Sequence, residues 1–265
     1  MRMGMNDCGM GARELFHKAP GESTHVEERK GVALTALEFA VPEAFRPVAL
    51  VPAYQAEETV AAVVTGIRDS VACVLVVDDG STDRTPALAE SAGAEVLRRG
   101  KNGGKGAAVR SGLEHLLPSD ATHVAFVDAD GQHDPADLPR LLEAARGGAS
   151  FVIGSRMAEP DAIPAYRYRT NEIGSRILTR MTGLEVEDAQ SGYRVVSSDV
   201  LRRLSLNARG YIIETEILLK AARYVDRFTH VPIRAIYGGR SHYRPFRDTW
   251  IISWGAVYYK VFETE

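Results

Sequence analysis

From Pro47 onward, short apolar runs alternate with longer amphipathic ones. PVALVPAY, CVLVVDDGS, AEVLRR, HVAFVDAD and ASFVIGSR have strand length. Between them, EETVAAVVTGIRDS, DRTPALAESAG, GKNGGKGAAVRSGLEHLL and DPADLPRLLEAARGG carry apolar residues at helical spacing. Strands alternating with helices predict an α/β fold, a mostly parallel sheet flanked by helices on both faces. VLVV, VAFV and FVIG are unbroken apolar runs, as expected of strands buried on both sides. The pattern changes after Met157. RYRTNEIGSRILTRMTG predicts a basic helix ending at Gly183, EDAQSGYRVV turns from polar to apolar, and VLRRLSL and TEILLKAARYV read as helical. FTHVPIRAIY alternates like an exposed or edge strand. In the final DTWIISWGAVYYKVFETE, Trp250, Trp254, Val257, Tyr258 and Val261 fall on one helical stripe. That stripe suits either packing on the core or lying at a membrane interface, where Trp and Tyr are favoured.

These changes divide the chain into a loose extension over 1–45, where periodicity is weak, a main domain over 46–245, and an amphipathic helix over 246–265. The main domain splits at about residue 157 into two halves, 46–156 and 157–245. Of the 265 residues, 45% are hydrophobic and 25% charged, which is ordinary for a globular protein. A net charge of -3 gives no basis for nucleic-acid binding. The two cysteines, Cys8 and Cys73, form no disulfide framework. Cys73 is expected as a small core residue, which fits a reducing cytoplasm. No apolar run reaches the roughly 18 residues of a membrane span, and the first residues contain no apolar stretch of the secretory type.

The chemistry concentrates where strands end. In open α/β sheets, ligands sit beyond the carboxyl ends of the strands. Three strands here end in loaded sequence: Pro52 to Tyr54 with Glu57 following, Asp78–Asp79–Gly80–Ser81, and Asp128–Ala129–Asp130. DADGQHD does not satisfy an EF-hand, because loop positions six and twelve hold His133 and Pro139. Two carboxylates with few other protein ligands suit Mg²⁺ or Mn²⁺ bridging to substrate phosphates, the alternative being a plain turn. GKNGGKGAAVRSG fails both the P-loop and the dinucleotide spacing. It leaves a Gly-rich turn with Lys105 at a helix N-terminus, either an anion site or a surface lysine. Arg156 follows the strand FVIGS onto the same rim. Arg167, Arg169, Arg176 and Arg180 form either a solvated basic face or a cluster for a second phosphate.

VPAYQAEE, VVDDGSTDRT, NGGKGAAVRSG, FVDADGQHDP, VIGSR and DAQSGYR, in this order, resemble the family 2 glycosyltransferases, and among them the dolichol-phosphate mannosyltransferases and polyprenyl-phosphate sugar synthases. The resemblance covers about residues 47–245 and implies a GT-A fold, with a nucleotide-sugar half followed by an acceptor half. It implies that Pro52, Tyr54 and Glu57 line the nucleotide pocket and that Asp79 contacts base or ribose. Asp128 and Asp130 would be the DxD pair for metal and diphosphate, with Gln132 as a third metal contact. Arg156 would hold a phosphate, Asp188 would lie close to sugar and acceptor, and Arg240 and Ser241 would form a mobile segment near the acceptor phosphate. Gln55–Ala56 departs from the commoner Asn-Glu and weakens the assignment of Glu57. The implied reaction is an inverting transfer of a hexose from a GDP- or UDP-sugar to polyprenyl phosphate, at the cytoplasmic face of the membrane, with residues 250–262 as a candidate membrane contact. A lipid phosphate is anionic and attacks without a base, whereas a hydroxyl acceptor needs one, for which Asp188 is the candidate. The alternatives are that hydroxyl-acceptor enzyme and a non-catalytic nucleotide-sugar-binding protein.

Overall fold

The computed structural model describes residues 44–159, 163–208, 210–234 and 236. Residues 1–43, Arg240, Ser241 and the segment 246–265 therefore lie outside the described residues. Seven strands form one sheet: β1 (Pro47–Ala53), β2 (Val74–Asp78), β3 (Glu95–Arg98), β4 (His123–Phe126), β5 (Phe151–Ser155), β6 (Arg194–Ser197) and β7 (Thr229–Pro232). Their order is β3-β2-β1-β4-β6-β5-β7. Strand β1 is parallel to β2 and β4, β2 to β3, and β5 to β7, while β6 is antiparallel to both its neighbours. Two reversals restore direction across β6, so six strands point one way and only β6 runs against them. The expected mostly parallel α/β sheet is thus present, with one reversed strand at its heart.

The burial of the strands follows from this order. The β2 run VLVVD and the β5 run FVIGS are buried throughout, whereas the edge strands β3 and β7 are half-exposed. The edge character expected of FTHVPIRAIY is borne out at Thr229–Pro232. Alternate residues of each strand serve opposite faces. Val48, Leu50, Leu75 and Val77 join one core, and Ala49, Val51, Val74 and Val76 the other. Helices α3 (Lys105–Leu116), α5 (Ala165–Thr182), α6 (Ser198–Arg202) and α7 (Ile212–Ala221) contribute to the first core. Helices α1 (Val60–Ile67), α2 (Thr85–Ser91) and α4 (Leu138–Arg146) contribute to the second. Helix α3 lies so close to the sheet that a Cβ at Gly112 would come within 2.2 Å of Leu50 Cδ1. Only glycine allows that approach, and it brings the N-terminus of α3 up to the sheet edge where β4 ends.

Cys73 packs at the margin of the first core, as expected of a small core residue. The expectation of no disulfide also involves Cys8, which lies outside the described residues. Among the described residues, no helix is long and apolar enough to cross a membrane.

Candidate active site

Six strands ending on one edge place the β1, β2, β4 and β5 loops side by side. Because β6 runs the other way, that same edge receives its beginning, so the DAQSGYR segment enters the rim from below. Arg194 is in register with Phe126 on one side and Ile153 on the other. One antiparallel strand thereby joins the second half of the chain to the acidic loops of the first.

The loops are stitched together by polar side chains. The Gln55 N–H donates to Ser81 Oγ at 2.9 Å, the Ala56 N–H to Thr85 Oγ1 at 2.7 Å, and the Glu57 N–H to Asp83 Oδ2 at 3.3 Å. The Glu57 carboxylate accepts from Arg84 Nε at 3.3 Å. Thr59 Oγ1 donates to the Ala129 carbonyl at 2.5 Å, tying the β1 loop to the β4 loop. Tyr54 stands exposed on this rim, and Pro52, near the end of β1, is half-buried. Asp79 is buried and faces inward. It accepts from the Gly103 N–H at 3.1 Å, the Gly104 N–H at 2.7 Å and the Arg99 guanidinium. In this arrangement its carboxylate organises the Gly-rich turn that starts α3.

Lys105, at the start of that helix, points inward. Its ammonium donates to Asp128 Oδ1 and to Glu214 Oε1, each at 2.5 Å, and lies 5.7 Å from the centre of the Tyr211 ring. Burial disfavours its charge, but Asp128 and Glu214 more than offset this and raise its pKa. Asp128 is affected in the opposite sense. Burial opposes its charge too, yet Lys105 and then His133 hold the carboxyl well below the usual range. Asp128 Oδ2 faces His133 Nε2 at 3.7 Å. A Cβ on Gly192 would sit 2.5 Å from Asp128 Oδ2 and 3.0 Å from Glu214 Oε1, so glycine is required for the two acids to close on Lys105. Pro52, Lys105, Asp128, Gly192, Arg194 and Glu214 enclose a small cavity.

Asp130 occupies a poorer environment. Its Oδ1 accepts from the Gln132 N–H at 3.0 Å. Burial, followed by repulsion from Asp128, raises its pKa. His133 is buried, and its Nδ1 has no hydrogen-bond partner. Its ring packs against Tyr193 at 4.9 Å between centroids. Among the described residues, no group of three or more His, Cys, Asp and Glu side chains is arranged to hold a metal ion. Two neighbouring carboxylates, one of them poorly compensated, fit an oxygen-seeking divalent ion that completes its shell from a phosphate ligand and water. They do not fit a closed structural site.

The second cluster is saturated. Asp188 is 0% exposed and accepts four hydrogen bonds: from the Arg156 N–H at 3.0 Å, Arg156 Nε at 2.8 Å, Arg156 Nη2 at 2.8 Å and Asn171 Nδ2 at 2.7 Å. Burial works against its charge, but the Arg156 guanidinium and these hydrogen bonds take its pKa down to about 2. Arg194 lies between the two clusters. It donates to the carbonyls of Ser191, Glu214 and Ala189 at 2.8, 2.6 and 3.0 Å, which fixes the loop before β6 and the first turn of α7. Burial lowers its pKa, while Glu214, Asp188 and Asp128 support its charge.

The structure thus brings Lys105, Asp128 and Asp130 together, brings Arg156 onto Asp188, and places Gln132 in the Asp130 turn. Glu57 and Asp79 lie in the neighbouring stitched loops. Sequence reasoning missed Glu214, Asn171, Gly192 and Arg194. Asn171 lies within the arginine-rich helix, and Gly192 and Arg194 lie inside the quoted DAQSGYR. Glu214 had one signal, an acid interrupting the apolar run of YIIETEILL.

Comparison with known proteins agrees with this architecture. The model of glycosyl transferase family 2 matches residues 48–205. The chain is 36% identical to glycosyltransferase AglJ of Haloferax volcanii over 77% of its own length and 68% of that protein. It is 35% identical to an undecaprenyl-phosphate mannosyltransferase of Micrococcus luteus, over 71% of its length and 82% of that protein. It is 30% identical to the polyprenol monophosphomannose synthase of Mycolicibacterium smegmatis, over 71% and 76%. In structure it is similar to glucosyl-3-phosphoglycerate synthase of Mycobacterium tuberculosis, with a TM-score of 0.64 and 23% identity over 81% of this chain and 78% of that one. The same enzyme in complex with Mn²⁺ and UDP-glucose gives a TM-score of 0.61, over 85% and 81%. At that identity the likeness speaks for the fold, which is GT-A. The chain is a glycosyltransferase and belongs to glycosyl transferase family 2.

Proposed function

We propose that the protein moves a hexose from a nucleotide sugar to polyprenyl phosphate, with inversion at the sugar carbon. Asp128 and Asp130 would hold Mg²⁺ or Mn²⁺ together with the donor diphosphate, and Gln132 lies in the same turn. When bound, that ion neutralises the charge that develops on the leaving diphosphate. The lipid phosphate oxygen attacks the anomeric carbon as the bond to the diphosphate breaks. Pro52, Tyr54, Glu57 and Asp79 are proposed to shape the nucleotide pocket. Lys105 and Glu214 hold Asp128 in place, and Asp188 holds Arg156, whose charge would draw the acceptor phosphate. Arg240 and Ser241 complete the proposal without a structural description. Such an enzyme would work on the cytoplasmic face of a membrane.

The observation that carries the choice of acceptor is the state of Asp188. A hydroxyl acceptor needs a base. Asp188, the residue available for that role, is committed to Arg156 and Asn171 and has a pKa of about 2. An acceptor that arrives as an anion avoids the problem. The names of the Micrococcus and Mycolicibacterium relatives point the same way. The test is a screen of UDP- and GDP-sugars with Mn²⁺ or Mg²⁺, with a short polyprenyl phosphate or the matching free polyprenol, alongside Asp130→Ala. Metal-dependent transfer to the phosphate alone, lost in the variant, is the expected result. Transfer to the alcohol at comparable rate would overturn it.

A further inference from the structure

The loop that carries Asp188 is tied down by side chains that accept from its backbone. The Val186 N–H donates to Thr179 Oγ1 at 2.9 Å, the Ala189 N–H to Ser175 Oγ at 3.0 Å and the Gln190 N–H to Asn171 Oδ1 at 3.3 Å. These three acceptors are four residues apart and stack along one side of α5. A fourth tie comes from a different element, β7, where His230 Nε2 accepts from the Glu187 N–H at 3.2 Å. Hydroxyl and amide oxygens accept at any pH near neutrality. An imidazole nitrogen accepts only while it carries no proton. A backbone N–H can only donate, so this bond fixes the ring as neutral, with its proton on Nδ1. That Nδ1 lies 3.9 Å from Glu187 Oε1. Glu187 therefore offers the ring a partner in each charge state, its N–H to the neutral form and its carboxylate to the cation.

Asp188 is the next residue along the chain, and its carboxylate accepts three hydrogen bonds from Arg156. A shift of the backbone at Glu187 reaches Arg156 across one peptide unit. His230 lies on the face of β7 opposite Val231, which packs on the second core, and is in register with Ile153 of β5. The charged groups acting on the ring are Glu187, Glu185 and Asp188, the last paired with Arg156. Burial lowers the pKa of His230 and outweighs these acids, which raise it.

We propose that His230 is a positioning residue for the acceptor step. Its neutral ring holds Glu187 so that Asp188 keeps Arg156 in place, and a proton on the ring releases that alignment. Of the four acceptors that tie the loop, His230 is the one a proton can switch off. The inference rests on the reading above, in which Arg156 draws the acceptor phosphate.

The test follows the full-length parent, His230→Gln and His230→Leu from about pH 8 down to about pH 5, a range that spans an ordinary histidine titration. Glutamine keeps an oxygen acceptor that does not titrate, and leucine offers none. At the upper end, the glutamine variant should rescue the acceptor KM of the parent. The leucine variant should lie about fivefold higher, the worth of one hydrogen bond. At the lower end, the acceptor KM of the parent should rise to about fivefold above that of the glutamine variant, with donor KM unchanged and kcat within about twofold. In parallel, the NMR signal of the Arg156 Nε–H reports its bond to Asp188. In the parent it should move together with the His230 ring titration, and in the glutamine variant it should stay still. A histidine that only supports the fold would change urea unfolding without moving that signal. The proposal is overturned by an Arg156 signal that ignores the His230 titration, by a leucine variant that matches the parent at the upper end, or by parent and glutamine profiles that coincide. The NMR measurement needs no acceptor, so the two readings separate. A coupled signal without transfer to polyprenyl phosphate removes the acceptor reading alone, and transfer with an uncoupled signal removes the role of His230 alone.

Discussion

Asp130 and Asp188 lie on the same rim in opposite circumstances. Asp188 is fully buried and accepts four hydrogen bonds, three of them from one arginine, so its charge is secured before any ligand arrives. Asp130 has a backbone N–H from Gln132 and a like charge next to it in Asp128, whose own counter-ion, Lys105, is shared with Glu214. A carboxylate that is satisfied within the protein serves to hold another group in place. One that is half-buried and poorly compensated has capacity left for a cation brought by the substrate. Neither aspartate's own residue type foretells this difference, which comes from the groups around each.

The sharpest break in this contrast is Asp188→Ala. It leaves the Arg156 guanidinium without its buried partner and should cost about 3–5 kcal/mol in denaturant unfolding. Asp130→Ala should do the reverse. It should lower kcat/KM by about a hundredfold or more while leaving the melting temperature unchanged or higher. A large loss of stability in Asp130→Ala would show that Asp130 is structural after all. A Cβ at Gly192 presses on Asp128 and Glu214, so Gly192→Ala should destabilise by about 1–3 kcal/mol. It should also weaken Mn²⁺ binding, measured by calorimetry, because Asp128 must move.

The pH dependence gives a comparable but more selective effect. The Asp188 pKa is lower in the folded protein, about 2 against a normal 3.8. Its contribution to stability is therefore complete above about pH 4 and disappears as pH falls through about 2. It amounts to about 2 kcal/mol. The stability difference between the parent and Asp188→Asn, followed by urea unfolding, should be flat above that window and shrink within it. The smallest effect should come from Asp130→Asn in metal-free buffer. Relieving the repulsion by Asp128 should stabilise the fold by less than about 1 kcal/mol.

Much of this molecule was legible because it is written locally. The apolar runs of β1, β2, β4 and β5, the helical spacing between them and the acids at the strand ends all follow from periodicity and turn chemistry within a few residues. The edge strand at Thr229–Pro232 could be read in the same way. The ion pair of Lys105 with Glu214 could not, because a partner distant in sequence leaves no mark on its neighbours.

The sequence by itself determined the alternating α/β architecture, the rim on which Asp128 and Asp130 stand, and the family. Each depends on contiguous patterns and on the rule that parallel strands end on one edge. Only the tertiary structure decided what the side chains on that rim do. Reversed β6 brings Gly192 and Arg194 to Asp128, the close approach at Gly112 seats α3 so that Lys105 turns inward, and α7 supplies Glu214 from 86 residues beyond Asp128. Charge pairing falls off within a few ångströms. A carboxylate's role is therefore set by which distant segments fold against it, and those distances exist only in three dimensions.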